Sequence, residues 1–225
     1  MFRLIVTISA VLTGSSAVYF YICHQKLSSR IQHTSQSGLS SAKSKPQSIE
    51  SIPEGVLTEK FFALHDHASK SVLRGSLPNI PIELLFTKLV RRNMTTFTHF
   101  PQALMIRLVC DTKEQKRSFK ASHISSLDFN EGDLVCGVYR VIARSSNKVE
   151  FEIKMVNMDF CCARLALSFH EKGDEVVFCS ETMMWRPADE CQNMPLERPL
   201  IRWMHETAAW WLIDSGVKYL TELES

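Results

Sequence analysis

The chain has 225 residues, 45% of them hydrophobic, with 26 lysines and arginines against 24 aspartates and glutamates for a formal net charge of +2. That is enough apolar material for one domain with a sizeable core plus an appendage, and the balanced charge excludes a general electrostatic attraction to nucleic acid. The seven cysteines include no C-x-x-C pair and no metal-ligand spacing, so no metal site is implied and most read as buried free thiols.

From Leu4 to Cys23 the stretch LIVTISAVLTGSSAVYFYIC carries no charge. About 20 apolar residues at 1.5 Å rise cross the hydrocarbon layer of a bilayer, so residues 1–27 read as an N-terminal transmembrane anchor. A cleaved signal peptide is the alternative, with Arg3 as its basic start, Leu4 to Leu12 as its apolar stretch and Ser15-Ser16-Ala17 at its cleavage site. The continuing run Val18-Tyr19-Phe20-Tyr21-Ile22, with its interfacial tyrosines, favours the anchor. The protein is therefore expected in a membrane as a single-pass chain, with the endoplasmic reticulum as the compartment. Arg3 before the segment and Lys26 and Arg30 after it leave the orientation open. Residues 28–52 are rich in serine, glutamine and lysine without apolar periodicity, the composition of a polar flexible linker.

One domain is expected over residues 53–225. It opens with VLTEKFFALHDHASKSVLR, where Leu57, Phe61, Leu64, Ala68 and Val72 recur at helical spacing. IELLFTKLVRR reads as a second helix with Pro81 at its first turn and Arg91-Arg92 at its end, and FPQALMIRLVC as a third starting at Pro101. From about Lys116 the pattern changes to strands: one around SFKASHISSL, a hairpin turning at Ser145-Ser146-Asn147, and a second turning at Glu171-Lys172-Gly173-Asp174. In KVEFEIKM, Val149, Phe151, Ile153 and Met155 face one way while Glu150, Glu152 and Lys154 face the other, so one side is buried and the other wet. A long helix from Pro195 or Pro199 ends the chain, with Leu200, Met204, Ala208, Trp211 and Ser215 as one stripe; it is too charged to span a membrane. The fold class is α+β: an antiparallel meander of about five strands against a long C-terminal helix, preceded by helices. The space between that helix and the sheet is the natural pocket.

Meander strands followed by a C-terminal amphipathic helix resemble the helix-grip superfamily, which includes START lipid-transfer domains, plant pathogenesis-related allergens and aromatic polyketide cyclases. The stretches GDLVCGVYRVIARSSNKVEFEIK and MPLERPLIRWMHETAAWWLIDSGVKYL carry the resemblance, with the last helix following a basic, proline-containing turn at Leu196-Glu197-Arg198-Pro199. A membrane anchor on such a domain is also similar to accessory proteins and cyclases of fungal natural-product pathways. The resemblance implies a hydrophobic small-molecule ligand, and either a cyclase or isomerase or a carrier or subunit working with other membrane-bound pathway enzymes. Two departures stand out: the usual first strand ahead of the helices is not evident, and no catalytic motif of the family maps residue by residue. The hotdog fold of acyl-thioester hydrolases is the alternative, but there the long helix precedes most strands.

No G-x-S-x-G elbow, G-x-G-x-x-G or Walker loop is present, so serine-hydrolase and nucleotide chemistry lose their usual support and no cofactor is implied. His205-Glu206 opens like a zinc-protease helix, but Ala209 stands where the second histidine would be. On a helix, His65 and His67 of His65-Asp66-His67 diverge and do not share a metal. The polar candidates for acid or base work are Glu181, which shares an apolar strand face with Val177, Cys179, Met183 and Trp185, Tyr139 with Val135, Gly137 and Val141, and His205 at the pocket's mouth. A buried Glu181 would have either a raised pKa or a partner. Phe151, Ile153, Met184, Trp203, Met204 and Trp211 are expected to line the pocket. Asn93-Met94-Thr95 is a formal N-glycosylation acceptor.

Overall fold

The computed structural model describes residues 18–41, 45–156 and 158–223. Its elements in chain order are α1 (residues 18–28), β1 (Gln32–Leu39), β2 (Phe61–Leu73), α2 (Ile82–Phe97), α3 (Pro101–Val109), α4 (Lys113–Arg117), α5 (Ala121–Ser126), β3 (Leu134–Val135), β4 (Tyr139–Ser145), β5 (Lys148–Ile153), β6 (Cys162–Lys172), β7 (Glu175–Pro187) and α6 (Pro199–Thr221). Among the described residues the strands form one seven-stranded antiparallel sheet in the order β1-β2-β7-β6-β5-β4-β3. The two expected hairpins are present, β4 to β5 and β6 to β7, the second turning through Gly173 at φ 61°. The helices α2 and α3 start where the sequence puts them, α2 with Pro81 as its N-cap, but α2 continues past Arg91-Arg92 to Phe97.

The sheet has seven strands rather than about five, and three segments depart from their expected form. Phe61–Leu73 is strand β2, not a helix. Both its faces are covered, so Ala63 and Leu64, neighbours that point oppositely, are both buried, and this erases the two-residue alternation that marks a strand. Gln32–Leu39, expected within the flexible linker, pairs along its whole length with β2 as edge strand β1. Its sequence QHTSQSGL is polar because it contributes main-chain hydrogen bonds rather than apolar surface. The stretch read as a strand around SFKASHISSL carries the short helix α5. With β2 ahead of the helices and paired to β7, the first strand that the sequence did not reveal is in place.

Most of the apolar run Leu4–Cys23 lies outside the described residues. Its end, from residue 18, belongs to α1, whose Cys23 and Leu27 pack with Ile31, Ala68, Trp210 and Ile213. No helix among the described residues is long and apolar enough to cross a membrane.

One face of the sheet carries α2 and α6. Phe86 of α2, Phe129, Phe151 and Phe178 are fully buried there, with Val217 and Leu220 of α6 in the same cluster. Burying each such side chain contributes about 1.5–3 kcal/mol. The expected wide apolar space beneath α6 is thus filled by side chains at this end. The stripe expected to face the core is also displaced: Trp210, Ile213, Gly216, Val217 and Leu220 are the buried residues of α6, whereas Leu200 is 67% exposed. The start of α6 is fixed by Arg186, at the end of β7, whose guanidinium donates to both carboxylate oxygens of Glu197 at 3.0 Å.

Gly137 sits at φ 76° just before β4, and a Cβ built on it would lie 2.5 Å from Cys110 Sγ and 2.8 Å from a Phe119 ring carbon. Positive φ and the ring contact act together, so Gly137→Ala is expected to destabilise the fold by about 2–3 kcal/mol, read as a lowered urea midpoint at unchanged slope.

Candidate functional site

The face of the sheet away from α6 was expected to be wet, yet it holds two fully buried carboxylates. On β5, Glu150 pairs in register with Ala166 of β6, which pairs with Glu181 of β7, so the two acids flank one alanine on the same face. Both are 0% exposed. An irregular strap of chain crosses above them. The backbone N–H groups of Gln47 and Ser48 donate to the two oxygens of Glu181 at 2.9 and 2.6 Å, and those of Glu50 and Ser51 donate to the two oxygens of Glu150 at 3.0 and 3.1 Å. Between the two grips Ile49 inserts, 1% exposed, into a cluster with Val56, Ala63, Ala166, Met183 and Trp185.

His65 Nε2 lies 2.7 Å from Glu181, and Lys148 Nζ lies 2.8 Å from Glu150. Burial pushes both carboxyls up, but these donors and the strap's N–H groups outweigh it and hold both below the usual glutamate range. Glu181 therefore has a partner rather than a raised pKa. Since β2 is a strand, His65 and His67 share this face while Asp66 points to the other, reversing the helical expectation. No group of three metal-ligating side chains occurs among the described residues.

The opposite face, between β1–β2 and the first turns of α6, holds a narrow cleft enclosing about 10 Å³ and open to solvent, lined by Ser35, Leu64, Asp66, Thr182, Leu196, Arg202, His205 and Glu206, among others. Asp66 is 8% exposed, and its Oδ2 lies 3.6 Å from His205 Nε2. Neither Asp66 Oδ1 nor His205 Nε2 has a hydrogen-bond partner, although both atoms are buried. Burial raises the Asp66 carboxyl above its ordinary range, His205 opposes the rise and Glu206 adds to it. Arg202, Ser35 and Glu206 close one wall: Arg202 Nη2 donates to Ser35 Oγ at 2.7 Å, and Ser35 Oγ donates to Glu206 Oε1 at 3.0 Å. Behind it lie Trp203 and Trp210 with the rings of His24 and His33, the His33 and Trp210 centroids 4.1 Å apart.

The structure does not bring the three expected acid/base residues together. Glu181 is on the strap face, whereas His205 is in the cleft. Tyr139 shares the helix-bearing face, edge-on to Phe97 and Phe151, with its hydroxyl pKa pushed up by burial. Its strand is four places from β2, about 19 Å away at 4.8 Å per strand. Of the expected lining residues, Phe151 is in the central core, Ile153 and Met184 pack with Leu64, Met194 and Leu196 beside the cleft, and Trp203 stacks near His24. Met204 receives a hydrogen bond from Gln102 on its carbonyl, and Trp211 lies against Phe100 under the Arg92 guanidinium. Asn93 is buried in α2 against Gly216 of α6, where a glycan would have to displace α6. Asp66, Arg202, Glu206 and Glu150 were missed as site or structural residues, Asp66 because a strand was read as a helix.

Both strap carboxyls have folded pKa values below their unfolded ones, so the stability they contribute is complete above about pH 4.3 and is lost as pH falls through the folded pKa. Amide exchange at residues 47–51 is expected to accelerate selectively below about pH 4. Glu181→Gln should produce the same loosening at neutral pH, with a loss of about 2–4 kcal/mol, because one strap N–H then faces an amide N–H.

No family model and no curated protein matches the chain. The crystal structure of CalU16 from Micromonospora echinospora is similar to it over 85% of this chain and 86% of that one, at 10% sequence identity and a TM-score of 0.36. At that level the likeness transfers neither residue roles nor chemistry.

Proposed function

We propose that the protein binds the polar end of a hydrophobic small molecule in the cleft between β1–β2 and α6. The observation that carries this reading is the neighbouring pair Asp66 and half-buried His205, of which two buried atoms, Asp66 Oδ1 and His205 Nε2, lack hydrogen-bond partners in a cleft walled by Leu64, Leu196 and an arginine. A folded chain leaves few buried polar atoms unsatisfied, and two together mark a place where a ligand's polar atoms would complete the set. The enclosed space, about 10 Å³, has room for about one water-sized group, so only the polar tip of a ligand would enter it. The antiparallel sheet with a long helix last in the chain supports a helix-grip-like fold over the hotdog alternative.

A catalytic extension rests on the same pair. A carboxyl held above its usual range beside an imidazole suits proton transfer to and from an enolisable carbonyl, the requirement of an isomerisation or an intramolecular ring closure. In this reading His205 takes the proton and Asp66, protonated, donates to the carbonyl oxygen. A carrier would need the same polar recognition without the proton transfer.

Native mass spectrometry of the full chain purified in mild detergent tests the proposal. A co-purifying small molecule is expected on the native protein and is expected to be lost from Asp66→Asn and Arg202→Ala. Asp66→Asn should at the same time leave the fold intact and raise its stability by about 1 kcal/mol at neutral pH, because it removes a buried carboxylate whose ionisation folding disfavours. Equal capture by the native protein and both variants, or no capture by any, would sink the reading. Loss of turnover with retained binding in His205→Gln separates catalyst from carrier.

A further inference from the structure

The first half of α6 is flanked by two helices whose outer surfaces are apolar. Along α6, α1 touches Trp203, Thr207 and Trp210 through His24, while the α3 region touches Met204 and Trp211 through Gln102 and Phe100. The residues contacted interleave over the same turns, so α1 and α3 emerge beside the same half of α6. Within α3 only Ala103 is buried. On the surface away from it, Leu104 (49% exposed), Met105 (66%), Leu108 (85%) and Val109 (49%) stand at spacings of three and four residues, and Leu200 at the start of α6 is 67% exposed. On α1, Val18, Tyr19, Phe20, Tyr21 and Ile22 are exposed as well. Apolar side chains concentrated this way mark an interaction surface.

We propose that α3, together with the start of α6, docks on the surface of a lipid bilayer as a second contact beside the N-terminal segment. Three observations select the bilayer as occupant. The uncharged run Leu4–Cys23 ends inside α1, and α1 packs on the same turns of α6 as the α3 region, so an apolar phase that takes the exposed residues 18–22 would lie near α3. Tyr19 and Tyr21 are side chains with an apolar ring and a polar tip, suited to the headgroup level. The chain leaving α3 presents exposed Lys113, Lys116, Arg117 and Lys120, preceded by Arg107, against Asp111 and Glu114, a net positive segment that complements anionic headgroups. The geometry is that of an interfacial helix lying in the plane of the bilayer. It holds whether or not the cleft binds a ligand, and it would place the half of α6 that bears His205 at the membrane surface, where hydrophobic molecules partition.

The test uses the full chain with an environment-sensitive fluorescent amino acid at position 108, and separately at Lys172 near the β6–β7 turn, away from the start of α6. With phosphatidylcholine–phosphatidylserine vesicles, emission at 108 is expected to shift to the blue and to be quenched by lipids carrying a shallow spin label, while emission at 172 stays unchanged. Co-flotation of the chain with an unshifted signal at 108 would mean that the N-terminal segment alone holds it, and would overturn the proposal. So would a signal at 108 that is already blue-shifted without lipid, which would show another stretch of this chain or a second copy covering α3, and so would failure to float with vesicles.

Discussion

Two carboxylates with no exposed surface hold a polar strap across one face of the sheet, and much of the fold is arranged around that need. Removing a carboxylate from water costs several kcal/mol, and the cost is offset only if the buried oxygens find donors. Glu181 and Glu150 each receive two successive backbone N–H groups and one side chain, His65 or Lys148. The backbone of residues 47–51 gains acceptors that it lacks as irregular chain, and Ile49 seals the space between the two grips. This explains why β2, β7 and β5 are covered on both sides.

The other face follows the opposite rule. There the sheet is covered by α2 and α6 through aromatic and aliphatic packing, and the polar groups left over are not fully paired. Asp66 sits one residue from His65 but on the opposite side of the strand, and its carboxyl is buried without the donors that Glu181 enjoys. The acids differ in their partners: the satisfied carboxylates hold the chain together, whereas Asp66 keeps one buried oxygen without a donor, the feature on which the proposed ligand site rests.

Elements whose pattern reflects local physics were legible in the sequence. The helices α2 and α3 are opened by proline, and the hairpins announce themselves by Ser-Ser-Asn and by Lys-Gly-Asp. The alternation of KVEFEIKM assigned Val149 and Phe151 to the core and Glu150 to the other face correctly, but not the burial of Glu150. β2 was not legible, because Ala63 and Leu64 meet different layers and neighbouring positions are both apolar. β1 was not legible either, since a polar edge strand is stabilised by main-chain pairing with a partner some thirty residues later, a contact that leaves no side-chain period.

The sequence by itself determined the α+β class, the terminal position of the long helix, and the presence of a carboxylate at 181 on an apolar strand face, since each follows from hydrophobic period or from neighbours along the chain. Only the tertiary structure decided that Glu181 holds a strap, that Tyr139 lies four strands from Asp66, and that Asp66 meets His205 in a cleft. Those outcomes depend on which side of a strand a residue falls and on which distant segment covers it. Both are set by pairing between residues more than a hundred positions apart, for which one-dimensional periodicity has no signature.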